Sequence, residues 1–141
     1  MSRSSSAPRR LRRGLAAVEC AMLLPFLCLA FLVSIDYCRI FYCSITVDNC
    51  ARNGALYGSA DGSHAEDTGG IETAAKADAS NLNLQMLSVS SAISGGNPSE
   101  VAVTVHYPFT TIMQYPGIPR QTDLTRTVRM SVLPQTPNFS H

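Results

Sequence analysis

From Leu15 to Ile35 apolar side chains follow one another, with only Glu19, Pro25 and Ser34 interposed. As a helix rising about 1.5 Å per residue, the run spans roughly 30 Å, the thickness of a bilayer's hydrocarbon core. It is apolar on all sides, as contact with lipid or with packed neighbouring helices requires. Pro25 removes one backbone donor and frees the Ala21 carbonyl, which predicts a mild kink. Asp36 and Arg39, three apart, mark the exit. Beyond them Phe41, Ile45 and the Asp48–Arg52 pair keep a helical pattern that is now amphipathic. One helix is therefore predicted from Leu15 to about Tyr57. Gly54 and Gly58 weaken its end, and the Gly, Ser and Asp of Ser59–Gly70 stop it.

The rhythm then changes. Ile71, Ala75, Ala79, Leu82 and Met86 fall three and four apart, which predicts a second helix from Ile71 to about Leu84. Leu87, Val89, Ser91 and Ile93 alternate with polar or small neighbours, and a turn follows at Gly95-Gly96-Asn97-Pro98. Val101, Val103, Val105 and Tyr107 give the cleanest strand signal. Pro108 to Thr122, with three prolines, reads as a loop. Leu124, Val128, Met130 and Val132 share one face of a last strand, opposite Thr125, Thr127, Arg129 and Ser131. The fold class is α+β: a long N-terminal helix with a small antiparallel sheet and a short second helix. Three short strands bury little alone, so the sheet is expected to pack on the outer half of the long helix.

Charge sharpens this picture. The 141 residues carry a net +1, yet five of the 11 basic residues (Arg3, Arg9, Arg10, Arg12 and Arg13) precede Leu15. The other 6, against all 10 acids, leave residues 15–141 at −4. A basic flank stays cytoplasmic, which places the N-terminus inside and the C-terminus outside. The expected organisation is a basic cytoplasmic leader at 1–14, a transmembrane and projecting helix at 15–58 with its membrane part at about 15–38, and an extracytoplasmic domain at 59–141. Residues 1–13 read as a disordered Ser/Arg tail, too short and too local for a nucleic-acid surface.

Candidate chemistry is sparse. His64, His106 and His141 are scattered, no Cys-x-x-Cys occurs, and no serine sits in a Gly-x-Ser-x-Gly context. No enzyme activity, metal site or cofactor is expected. Cys20 and Cys28 lie in the apolar run, where cysteine acts as a small apolar residue. Cys43 and Cys50 share a helix face but stand roughly 10 Å apart along the axis, too far for a bond within one helix. Free thiols remain, or a bond between neighbouring subunits. Glu19 is the costly residue, since a carboxylate at a membrane helix centre costs about 2.5–3.5 kcal/mol and less near the edge. Tyr107-Pro108-Phe109 fits either a strand end packed in the core or an exposed binding surface.

Arg13-Gly14-Leu15-Ala16-Ala17-Val18-Glu19-Cys20-Ala21, with Leu23-Leu24-Pro25, resembles the opening of TadE-like proteins. Asn49-Cys50-Ala51-Arg52-Asn53-Gly54-Ala55 is similar to that family's helix end. Val101–Phe109 and Arg129-Met130 resemble its C-terminal strands. The resemblance implies a minor pseudopilin of the tight adherence (Tad) pilus system, held in the bacterial inner membrane and supporting adhesion. Its implied partners are other pilin-like subunits, the Tad assembly platform, a prepilin peptidase and membrane lipid. The implied cut falls between Gly14 and Leu15, making Glu19 the fifth residue of the mature chain. Cys20 departs from the aromatic usual after the glutamate, and Leu15 is bulkier than the usual first residue.

An α-amino group freed at Leu15 would have an ordinary pKa of about 7.7–8.0, a suitable partner for Glu19 of a neighbouring helix. An unpaired acid in an apolar bundle would penalise wrong registers. Ala16, Ala17, Ala21 and Ala30 permit close helix approach. The competing readings are a cleaved secretory signal, for which the apolar run is too long and Ser34-Ile35-Asp36-Tyr37 a poor site, and a membrane-anchored binding domain outside any filament. Paired arginines hint at twin-arginine export but lack the rest of that motif.

Overall fold

The computed structural model describes residues 9–96, 99–112 and 119–134, with residues 9–15 described by their backbone alone. Helix α1 runs from Arg9 to Gly58 as one element of 50 residues with Pro25 inside it. The chain divides into two compact units, residues 1–38 and 39–141.

In the first unit the apolar run is helical throughout, and its side chains from Ala16 to Ile35 are exposed. Asp36 is buried at 7% exposure. Helix α1 begins at Arg9, earlier than the pattern predicts, because Arg-Arg-Leu-Arg-Arg consists of good helix formers. Gly14 and Leu15 therefore lie inside helical backbone. The first eight residues of the expected disordered tail lie outside the described residues.

The second unit combines residues 39–58 of α1 with α2 (Gly62–Glu66), α3 (Thr68–Lys76), β1 (Ser88–Ser94), β2 (Glu100–Thr110) and β3 (Gln121–Ser131). The strands form one antiparallel sheet in the order β1-β2-β3. Its register sets Val89 against Val105, and Val103 against Val128. Val47, Cys50, Ala51 and Ala55 recur at helical spacing and join Val101, Val103, Val105 and Ile71 in one core. All eight are fully buried, and each valine contributes roughly 1.5–3 kcal/mol on leaving water. Gly54 and Gly58 lie on the same helix face, against Ile71 of α3 and Val103 and Val101 of β2. They permit the close approach of α1 to the elements that cover it.

Three expectations need correction. The second helix ends at Lys76 instead of Leu84, and its first turn is at Thr68. Asp78, Ser80, Asn81 and Asn83 favour local turns over helix. The backbone accordingly closes turns from Ala79 N–H to Lys76 O, Leu82 N–H to Ala79 O and Met86 N–H to Asn83 O. Ile71, Ala75, Ala79 and Leu82 are nevertheless buried as their spacing predicts, while Met86 is exposed. Second, Ser59–Gly70 is not simply loop. Asp61 caps α2 and Asp67 caps α3, their carboxylates accepting from His64 N–H at 2.8 Å and Gly70 N–H at 2.9 Å. Third, β2 continues through Pro108 to Thr110. Beyond His106 it is paired only with β3, and a strand with one free side tolerates a residue lacking an N–H. Of the expected loop, residues 113–118 lie outside the described residues, as do Asn97 and Pro98 of the turn.

Candidate functional site

The most unusual surface of the chain is the apolar run itself. Met22, Phe26, Leu27 and Phe31 are each about 70% exposed, although side chains of this kind are ordinarily buried. The segment is long and apolar enough to cross a membrane, with a mean hydropathy of 2.3. Within it Glu19 is the acid nearest the start, exposed like its neighbours Val18 and Cys20. Ala16, Ala17, Ala21 and Ala30 are exposed on the same helix. Glu19 follows Leu15 by four residues, about one helical turn.

In the second unit the Asn49–Ala55 stretch acquires a physical account. Cys50, Ala51, Gly54 and Ala55 face the core, whereas Arg52 is exposed and approaches Asp48 only to 4.0 Å. Small residues here serve packing, and the charged pair lies in solvent.

A cleft of about 290 Å³ opens beside the first turn of α1 in this unit. Arg39, Tyr42 and Cys43 form one wall, Asn81 and Met86 a second, and Tyr107 to Thr110 the floor. The Arg39 guanidinium stands over the Phe109 ring at 5.2 Å from its centroid, within cation–π range. Phe109 is buried, so the strand-end aromatic packs inward, while Tyr107 is half-buried. Asn81 Nδ2 donates to Thr46 Oγ1 at 3.0 Å, and Thr46 Oγ1 donates to the Tyr42 carbonyl at 3.2 Å, fixing the wall. Arg126 interrupts the inner face of β3 and donates to Ser44 Oγ at 3.0 Å.

A second polar cluster fastens the far end of α1. Tyr57 Oη donates to Asp67 Oδ2 at 2.9 Å, and the Tyr57 and His64 rings meet edge to face at 4.8 Å. Ser63 Oγ donates to Asp61 Oδ1 at 2.6 Å, and His64 Nδ1 lies 2.8 Å from the same oxygen. Hydrogen bonds from Ser63 and His64 hold the Asp61 carboxyl well below the usual carboxylate range. Those from Gly70 N–H and Tyr57 lower Asp67, and the bond to Asp67 raises the Tyr57 phenol. The arrangement is a double helix cap closed by a tyrosine, and its polar groups are consumed by each other. Each caps the backbone three residues on, a signal present in Asp61-Gly62-Ser63-His64 and Asp67-Thr68-Gly69-Gly70 but masked by their loop-like composition.

All five cysteines are free thiols. Burial pushes the Cys43 and Cys50 thiols up, which makes them poor nucleophiles. Among the described residues no group of three or more His, Cys, Asp or Glu side chains could hold a metal ion.

Residues 14–56 match the family model described as TadE-like protein. The match takes in Gly14, Leu15, Glu19 and the Asn49–Ala55 stretch, and stops before the strands. Neither the curated proteins nor the solved structures contain a match.

Proposed function

With a TadE-like segment at residues 14–56 as its anchor, we propose that the protein is a minor pseudopilin of a Tad-type pilus or related secretion assembly, used for surface attachment. It is a non-enzymatic, single-pass protein of the bacterial inner membrane. The arginine-rich end is cytoplasmic and the second unit is extracytoplasmic. The observation that carries this reading is an apolar helix with its large side chains uncovered and one acid near its start. Such a helix needs lipid before assembly and neighbouring helices after it.

A prepilin peptidase cuts between Gly14 and Leu15 in this reading. The helical backbone there must open first, and Gly14 makes that opening easier because glycine is the poorest helix former after proline. The new α-amino group of one subunit then pairs with Glu19 of the next. Away from water that pair selects one axial register, since any other leaves a charge without its partner. Other pilin-like subunits and the assembly platform meet the same helix.

N-terminal sequencing of the mature protein from its own host tests the proposal. A chain beginning at Leu15 supports it. A start beyond Ile35 would make the protein a secreted domain, and an uncut chain would leave an anchor without pilin processing.

A further inference from the structure

The sheet of the second unit ends on two edges of unlike character. Among the described residues β1 and β3 each pair with β2 alone. Both edges therefore carry unpaired backbone groups, a template on which another strand can add. Charged side chains are one device that keeps such edges apart. β3 carries Asp123, Arg126 and Arg129, whereas β1, Ser-Val-Ser-Ser-Ala-Ile-Ser, has neither a charge nor a proline.

The ladder fixes which groups of β1 are turned outward. Val132 N–H donates to the Ser99 carbonyl at 2.8 Å and Thr111 N–H to the Arg120 carbonyl at 3.0 Å, at opposite ends of an unbroken β2–β3 register. Residues of an antiparallel strand turn their backbone groups to one side and the other alternately. The odd-numbered residues of β2 thus face β3, and Glu100, Ala102, Thr104 and His106 face β1. These four pair with Ser94, Ala92, Ser90 and Ser88. Val89, Ser91 and Ile93 are left, each with its N–H and C=O turned away from the sheet. In register they stand beside the fully buried Val105, Val103 and Val101, on the core face, yet Ile93 is 48% exposed.

We propose that β1 is a self-pairing edge, to which β1 of a second copy of this chain adds antiparallel about a two-fold axis at Ser91. In that register Ser91 meets Ser91 of the copy, and Val89 meets its Ile93. Every outward N–H and C=O of Val89, Ser91 and Ile93 then finds a partner. A shift of two residues leaves one of the three outside the pair, and a shift of one sets outward groups against inward ones. The occupant is a second copy because the strand is complementary to itself. The exposed Ile93 gains a valine beside it, Ser90 faces Ala92, Ser88 faces Ser94, and no charge leaves water. The pairing belongs to the second unit alone and does not depend on a cut at Gly14, so it and the pilin reading can fail separately.

Disulfide cross-linking tests the register in the full chain in detergent, with the exposed Cys20, Cys28 and Cys38 replaced by alanine. Ser90 and Ala92 are exposed. Across the proposed pair Ser90 stands opposite Ala92 of the copy, with about 4.5 Å between Cα atoms, within disulfide reach. Ser90 and its own counterpart lie on a diagonal of about 7–8 Å, beyond that reach. Ser90→Cys chains mixed with Ala92→Cys chains are expected to give a 90–92 disulfide, identified by peptide mass spectrometry. Either variant alone should give cross-linked dimer lower on the order of tenfold. Adding Ser91→Lys to both chains should abolish the link, because like charges then face each other at the axis. Ser91→Lys in one chain and Ser91→Asp in the other should restore it. Equal linkage by each cysteine variant alone would mean a parallel or unordered contact and overturn the two-fold pairing. Absence of the 90–92 disulfide from the mixture would overturn it as well, whether copies meet only through α1 or another protein covers the edge. So would a link that persists with Ser91→Lys in both chains.

Discussion

Gly54 on α1 and Val103 on β2 sit so close that a Cβ on the glycine would stand 3.1 Å from Val103 Cγ1. The same Cβ would lie 3.2 Å from Ala75 Cβ and 3.3 Å from the Ile71 carbonyl oxygen. Two of these neighbours cannot rotate away. Gly54→Leu is expected to destabilise the second unit by about 1–3 kcal/mol through overpacking, read as a lowered thermal midpoint. Gly58→Ala should be milder, because its Cβ would meet only the side-chain carbons of Ile71 and Val101. The two substitutions ranking the other way would place the tight contact elsewhere.

Glu19→Ala is expected to leave membrane insertion intact, since it removes a polar group from an apolar helix. Assembly should suffer instead. A charge whose buried partner is deleted costs about 3–5 kcal/mol, which predicts loss of co-purification with partner pilin-like subunits. Undiminished co-purification would remove Glu19 from the assembly contact.

Acid should loosen the cap at the end of α1. Asp61 and Asp67 have carboxyls lowered in the folded state, so their contribution is complete above the ordinary aspartate value of about 3.9 and is lost as pH falls through the folded ones. Tyr57 is raised, so its contribution holds below about pH 10 and is lost only as pH climbs past the folded value. Melting curves of the wild type should decline below about pH 4, and Asp61→Asn should flatten that decline. Asp67 is exposed and Asp61 only half-buried, so the effect is modest. Identical acid limbs would contradict the capping role.

Cys50 is fully buried and Cys38 exposed. In detergent, a maleimide should modify Cys38 under native conditions and Cys50 only after denaturant is added, as followed by mass spectrometry. Native labelling of Cys50 would mean that α1 and the sheet separate readily. Cys50→Ser is expected to cost about 1–3 kcal/mol, because it puts a hydroxyl where the core offers apolar neighbours.

Periodicity served best where one side chain in two or in three to four meets a single environment. Val101, Val103 and Val105 alternate because one face of β2 lies on α1, and that alternation was readable directly. The apolar run was readable for the opposite reason, having no polar face. Ala79 and Leu82 kept the right spacing outside any helix, because successive turns happen to return them to the core. Caps and close approaches were harder. Asp61 and Asp67 sit among the Gly and Ser that also mark loops, and only the position of their backbone partners separates a cap from a turn. Gly54 and Gly58 read as helix weakeners, since a missing side chain says nothing about what occupies its place. Pro108 looked like a strand stop because sequence does not reveal that β1 ends before reaching it.

The core of the second unit joins Val47, Cys50, Ala51 and Ala55 to strand residues about fifty positions later in the chain. During synthesis the small-residue face of α1 therefore emerges well before the strand that completes its cover, and α3, through Ile71 and Ala75, can reach it earlier. A chain still lacking β2 has an incomplete core, and contacts of such long sequence separation form slowly. Folding of this unit is consequently a late event in biogenesis, gated by delivery of the residues after Glu100 rather than by the helix on which they land.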